Sequence, residues 1–306
     1  MSLVRIPAAV SAMYFGSTPL GTIYAGAAPL ASVPAPAGDI AFPSSIFDVV
    51  GVAWDPYSPV IMTTATGSMP AGLGAPVGFV PWLGNPVDYS GTTRDPDMMQ
   101  ATSGNRPTLV EVDGRRGFSF DGVSDRLEAD WVEQFEPTRS FTAFGMVYLD
   151  SLTDRNPLCF SRAEVSNSFM EPFRIEGAIA TYNSTMRHSA TGFISGQDAG
   201  ATYAVPGWKC LIMEYELSAF ATDGGGCRLE EDGVERYELT VTPTTPGTAN
   251  VTTFTKATIG ARRTGSTIQG FFNSTVGRCG SISRLLTSAE KATLRQWLRG
   301  TSYVAP

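Results

Sequence analysis

Apolar residues along most of this chain alternate with polar ones at a period of two, the spacing of a strand with one buried face. In Arg116-Gly-Phe-Ser-Phe-Asp121 the pattern puts Phe118 and Phe120 on one side, then stops at the turn pair Asp121-Gly122. Ser140 to Leu149 is apolar on both sides, which predicts a strand in the middle of a sheet covered on both faces. Leu211, Met213, Tyr215 and Leu217 alternate with Ile212, Glu214 and Glu216 and predict a half-exposed strand. Arg228 to Glu231 and Val234 to Val241 flank Asp232-Gly233, the turn pair whose twist suits a two-residue hairpin. Helical periodicity enters only at the end. There Thr287-Ser-Ala-Glu290 reads as a capping box, Leu294, Trp297 and Leu298 share one face, Arg295 and Arg299 suit the C-terminal end, and Gly300 stops the helix. The pattern is that of a mainly antiparallel β body closed by one helix, and it gives no support to a doubly wound α/β fold.

The first 38 residues follow a different rule. Between Ile6 and Gly38 there is no charged residue, and two nine-residue segments, Ala12 to Leu20 and Thr22 to Leu30, repeat Tyr, Gly, Pro and Leu at the same offsets. Tyr14-Phe15 and Ile23-Tyr24 are strand formers, and the Gly-x-x-Pro that follows, completed by Pro19-Leu20 and Pro29-Leu30, supplies a bend. Each unit is too small to hold a core, so the arm must dock, either on its own body or on neighbouring subunits. An Ala/Pro/Gly linker over 25–38 is extended and stiff. The expected organisation is an assembly arm at 1–38 and a single β domain at 39–306. Pro7, Gly16, Pro19 and Gly21 interrupt the apolar run that would otherwise suggest a signal peptide, and no stretch of about eighteen apolar residues could span a membrane.

Charge and composition narrow the chemistry. The chain has 22 basic and 29 acidic side chains, a formal charge of −7, which disfavours binding through phosphate neutralisation and so excludes nucleic acid as an expected partner. Its one histidine, His188, excludes sites that need a histidine pair. Cys159, Cys210, Cys227 and Cys279 are too far apart for a metal knuckle and read as buried thiols, with a Cys210–Cys227 pair left open.

The arm and the body each carry a resemblance. Tandem Tyr-x-Gly-x-x-Pro-Leu units ahead of a β-rich body resemble virion proteins of tailed phages and of gene transfer agents. From residue 50 to 304 the order of segments is similar to the concanavalin A-like, LamG-type jelly-roll family. The matching stretches are Val52-Ala-Trp54-Asp55, Arg106-Pro107, Gly117 to Leu127, Gly207-Trp208, Glu231 to Val234, Thr258-Ile-Gly260 and Phe271-Phe272-Asn273, followed by Ile282 to Glu290. Ser274 departs from the glycine the family often has there. The resemblance implies a jelly-roll β-sandwich with Trp54, Trp208 and Trp297 in its core. It also implies a head spike or tail fibre, made in the bacterial cytoplasm, that joins other virion proteins as a homo-oligomer and contacts host surface polysaccharide. The fold alone hosts lectins, glycosidases and structural fibres, so function rests on the site.

Glycosidases on this scaffold need carboxylates at alternate strand positions. The nearest match, Glu111-Val112-Asp113, runs into Gly114 and lacks the third, so Asp113-Gly114 reads as a turn and no catalytic residue is assigned. His188 has no nucleophile elbow to serve. No cofactor is expected. Calcium is the one metal with donors available, in Arg94 to Asp97 or Asp121 to Asp125, but neither has the dense acidic loop, and Asp121-Gly122 is explained as a turn. Sugar recognition uses flat aromatic faces with planar hydrogen-bonding groups. With the structural tryptophans set aside, the candidates are Trp82, Tyr89, Trp131, Tyr182, Asn183, Arg187, His188, Tyr203, Arg262 and Arg263. The arginine pair is the most unusual local feature in an acidic chain, suited either to an anionic polysaccharide or to neighbouring carboxylates. A purely structural capsid-decoration or tail protein and a polysaccharide depolymerase are the alternatives.

Overall fold

A computed structural model of the chain describes residues 14–15, 18–19, 22–25, 28–32, 42–49, 51–67, 69–85, 96–135, 140–150, 156–161, 169–176, 181–187, 193–197, 206–216, 225–241 and 252–300. The body is an antiparallel β-sandwich. Its first sheet runs, in spatial order, Val234–Val241, Gly225–Glu231, Gly207–Glu216, Phe141–Leu149, Thr275–Ile282, Arg115–Ser119 and Thr108–Val112. Gly51–Trp54 also pairs with Thr275–Ile282 and carries Trp82–Asn85 on its far side. That shared edge is close-packed: a Cβ on Gly280 would meet the Val52 carbonyl oxygen at 2.2 Å, so glycine lets the backbones approach. The second sheet runs Phe193–Gln197, Thr181–Arg187, Phe169–Glu176, Leu158–Ser161, Thr252–Ile259, Leu127–Phe135, Met98–Met99 and Phe79–Val80.

The alternation read from the sequence sorts side chains between two cores. In Phe141–Leu149 the odd positions Phe141, Ala143, Val147 and Leu149 enter the main core between the sheets. The even positions Phe144 and Met146 enter a second cluster on the opposite face. This strand is central in its sheet, as its double-sided apolar pattern predicts. The helix Ser288–Arg299 builds the second cluster with Leu294, Trp297 and Leu298, over Ala53, Phe144, Cys210, Ile212 and Ile282. Both halves of its capping box form, with Thr287 accepting from the Glu290 N–H and Glu290 accepting from the Thr287 N–H, and Gly300 ends it at φ 73°.

The helix changes one expectation. Gly207–Glu216 is not half-exposed, because residues 210–215 are all buried. Leu211, Met213 and Tyr215 face the main core, while Cys210 and Ile212 lie under the helix. Glu214 on that side ion-pairs with Lys291 at 3.0 Å and accepts from the Leu286 N–H at 3.1 Å. A polar residue on a strand face reads as solvent-facing until the element that covers it is known.

Both predicted hairpin turns are present. Asp113-Gly114 (φ 49° and 71°) joins Thr108–Val112 to Arg115–Ser119, and Asp232-Gly233 (φ 54° and 92°) joins Gly225–Glu231 to Val234–Val241. Trp54 and Trp297 are fully buried and Trp208 is half-buried against the helix-side cluster. All four cysteines are buried thiols. Cys210 lies under the helix and Cys227 in the main core, on opposite faces of one sheet, so no disulfide joins them. In the arm, each repeat unit is itself a small hairpin: Tyr14–Phe15 with Thr18–Pro19, then Thr22–Ala25 with Ala28–Ser32, so residues 28–32, expected as part of an extended linker, are instead a paired strand.

Candidate functional site: the outer face of the second sheet

Alternation also defines what the second sheet turns away from the core. Leu127, Ala129, Ala257, Ile259, Leu158, Phe160, Met170 and Phe173 face inward. The intervening residues Glu128, Asp130, Lys256, Thr258, Cys159, Ser161, Phe169 and Glu171 take the other side. Register lines these up in rows across the strands. Met99, Glu128, Thr258 and Cys159 form one, and Asp130, Lys256, Ser161, Phe169, Arg187 and Phe193 occupy successive positions of the next.

A small hairpin, Arg262–Thr264 with Thr267–Gln269, leaves the end of Thr252–Ile259 and covers part of this face. The Arg262 guanidinium carbon lies 5.3 Å from the Phe169 ring centroid, and its Nη1 is 3.5 Å from Glu171 Oε1. Arg263 donates from Nε at 2.8 Å and from Nη2 to Glu128 Oε1, and Arg126 Nε stands 3.5 Å from Glu128 Oε2. Lys256 pairs with Asp130. Glu171, Thr258 and Cys159 are 0% exposed beneath this layer. Burial, then the charge of Glu171, pushes the Cys159 thiol up, so it is held as an inert neutral group.

The predicted candidates divide accordingly. Arg262 and Arg263 sit on the covering hairpin, already matched by carboxylates. Asn183 and Arg187 are in Thr181–Arg187, opposite Arg174 and Phe169, at alternate positions to the buried Tyr182 and Ser184. Tyr182 is 1% exposed in the main core, so its ring is not at a surface. Trp131 is on Leu127–Phe135 at a bulge, where the register jumps between Asp130 and Glu133. Trp82 is on the first sheet, half-buried against the main core, and its backbone N–H donates to Asp97 Oδ1 at 3.1 Å. Tyr89, His188 and Tyr203 lie outside the described residues. Sequence reasoning missed Phe169, Glu171 and Glu128. Their strand alternation was available as a signal, but the hairpin that brings the arginines onto them was not.

The same sheet end bears the loop Asp121 to Asp125. Asp121 Oδ1 accepts the N–H groups of Val123, Ser124 and Asp125 at 2.8, 2.8 and 2.9 Å, the turn expected from the sequence. Burial raises the Asp121 carboxyl, but these hydrogen bonds outweigh it and hold it below the usual range. Asp125 is raised to about 6, by burial first and then by the Asp121 charge. Among the described residues no three His, Cys, Asp or Glu side chains converge as a metal site. Chemically, the outer face offers planar guanidinium donors, fixed by the buried Phe169 ring and the carboxylates beneath them, which suits non-covalent recognition.

No protein-family model matches the chain. No curated protein matches it either. Among solved structures it is similar to the CBM40 of the Ruminococcus gnavus IT-sialidase bound to α2,3 sialyllactose, at 8% identity, 52% of this chain, 82% of that chain and a TM-score of 0.41. The NanB sialidase of Streptococcus pneumoniae matches at 13% identity over 54% of this chain and 27% of its own, with a TM-score of 0.39. A structure described as a receptor binding domain matches at 10% identity over 65% of this chain and 48% of its own, with a TM-score of 0.43. No residue role is carried across from these likenesses.

Proposed function

We propose that the chain is a non-catalytic recognition protein of a phage or gene-transfer-agent virion, a head spike or tail fibre, that holds host surface polysaccharide on the outer face of its second sheet. The observation that carries this reading is the Arg262–Phe169–Glu171 arrangement. A guanidinium laid over an aromatic ring and held by a buried carboxylate is a fixed planar donor, beside strand positions occupied by Asn183 and Arg187. Pre-set planar donors are what sugar hydroxyls require, and Phe169, 5% exposed, serves to hold the guanidinium flat rather than as a stacking face. Because Glu128 and Glu171 already balance the arginines, a neutral or weakly charged polysaccharide fits better than a densely anionic one. Hydrolysis has no comparable support: Glu111 and Asp113 end at a hairpin turn.

Retention of full-length protein on immobilised host polysaccharide tests this. Single-site affinity is expected in the range of about 0.1 to 1 mM, near −4 to −5.5 kcal/mol. Asn183→Ala with Arg187→Ala should lower retention at least about tenfold, a loss of about 1.4 kcal/mol, with an unchanged melting temperature. Unaltered retention in that variant would remove the assignment. The ion pairing of both arginines equally favours a structural decoration protein, and absence of retention on any host polysaccharide would select that reading.

A further inference from the structure

We propose that the open edge of the tandem N-terminal hairpins is closed by the same segment of a second copy of this chain, making the arm a two-fold β-pairing device. The inference does not depend on polysaccharide binding. Its starting point is that both units close in one register, ten residues apart: Tyr14 faces Pro19 and Phe15 faces Thr18, then Tyr24 faces Pro29 and Ala25 faces Ala28. Proline decides which pairs are hydrogen-bonded. In an antiparallel ladder, facing residues alternate between pairs that exchange both N–H···O bonds and pairs that exchange none. Pro19 and Pro29 have no N–H, so Tyr14–Pro19 and Tyr24–Pro29 are pairs of the second kind. The backbone N–H of each tyrosine is therefore directed away from its own hairpin, and the proline strand has no donor at the matching place. Each unit has one edge able to receive a strand and one edge blunted by proline.

A two-stranded hairpin alone is marginal, and these units form two separate two-stranded sheets, not one of four strands. A second copy satisfies both units at once. Two tyrosine edges meet antiparallel about a two-fold axis, and because the units share one pattern, the first unit of each copy faces the second unit of the other. The same contact is made twice, whereas an unrelated partner would need the ten-residue period itself. Charge favours the arm as the meeting place. Arg5 is the one charged residue before Asp39, so residues 39–306 hold 21 basic and 29 acidic side chains, a charge of −8, and contact between bodies would bring like charge together.

Native mass spectrometry of the full chain tests the proposal, with a dimer expected. Tyr14→Pro with Tyr24→Pro removes the outward N–H groups together with the rings and should give monomer with an unchanged body melting transition, whereas Tyr14→Val with Tyr24→Val, which loses the rings alone, should stay dimeric. A Gly-Ser insertion between Gly21 and Thr22 should dimerise with itself, yet form mixed dimers with the unmodified chain at least about tenfold below the random share. Monomeric unmodified protein, a dimer that survives the double proline variant, or random mixing would each overturn the inference. Polysaccharide retention per chain, measured on the same samples, fails or holds separately.

Discussion

Arg278 shows how much one side chain can organise. It is 4% exposed, its Nε lies 3.0 Å from Asp55 Oδ1, and its guanidinium sits 4.7 Å from the Tyr57 ring centroid and 4.9 Å from that of Trp297. Its Nη1 also donates to the Trp297 carbonyl at the end of the helix, where the dipole favours a cation. Arg278→Met should therefore lower stability by about 3 to 5 kcal/mol, because it leaves Asp55 buried without its counter-charge. Denaturant unfolding measures this, and adding Asp55→Asn should recover part of the loss. Asp125 gives a prediction of opposite character. Its carboxyl is raised from 3.8 to about 6 in the fold, so the folded state binds the proton more tightly than the unfolded chain. Its contribution to stability is present below pH 3.8 and is lost as pH rises toward 6. Asp125→Asn should flatten the stability profile between about pH 4 and 6 and raise the melting temperature at neutral pH.

At the scale of elements, the C-terminal helix is fixed by local and by tertiary terms of different size. Its capping box is local, and Thr287→Ala should destabilise by about 1 kcal/mol. Trp297 packs edge-on to Phe42 and Phe144 and is 1% exposed, and Trp297→Ala should destabilise by about 3 to 5 kcal/mol. Lys291 to Glu214, Arg295 to Glu230 and Arg299 to Asp232 tie the helix to two strands and to the hairpin turn that follows the second. Three half-buried pairs of this kind set the direction in which the helix lies more than its total stability. The hairpin 262–269 plays the corresponding part on the other sheet, where it matches arginines to Glu128 and Glu171.

Across the whole molecule, apolar side chains fill the space between the two sheets, and Ser184 of the second sheet also hydrogen-bonds Tyr215 of the first inside the core. Burial pushes the Tyr215 hydroxyl well up, so it remains a neutral partner. Tyr215→Phe should lose about 1 to 3 kcal/mol, since Ser184 is left buried with one fewer partner. Among the described residues, the two cores are built from residue 42 onward. Deleting residues 1–38 should therefore leave a single cooperative melt in calorimetry, and a broad transition would show that the arm belongs to the core.

What could be read from the chain alone was whatever depends on neighbours in sequence. Alternation identified strands of the first sheet, such as Phe141–Leu149 and Val234–Val241, Asp113-Gly114 and Asp232-Gly233 marked hairpins in it, Thr287 and Glu290 marked the helix start, and the tyrosine–proline repeat marked the arm as two similar units. These are matters of backbone propensity and local hydrogen bonding, which act over a few residues. The two faces of Gly207–Glu216, the depth of Tyr182 and the partners of Arg262 and Arg263 were decided elsewhere, the first by a helix whose Lys291 lies 77 residues beyond Glu214, the last by Glu171 and by Glu128, which is 135 residues from Arg263. Whether a polar side chain meets water or a counter-charge depends on which distant element covers it, and only the packed sheets determine that.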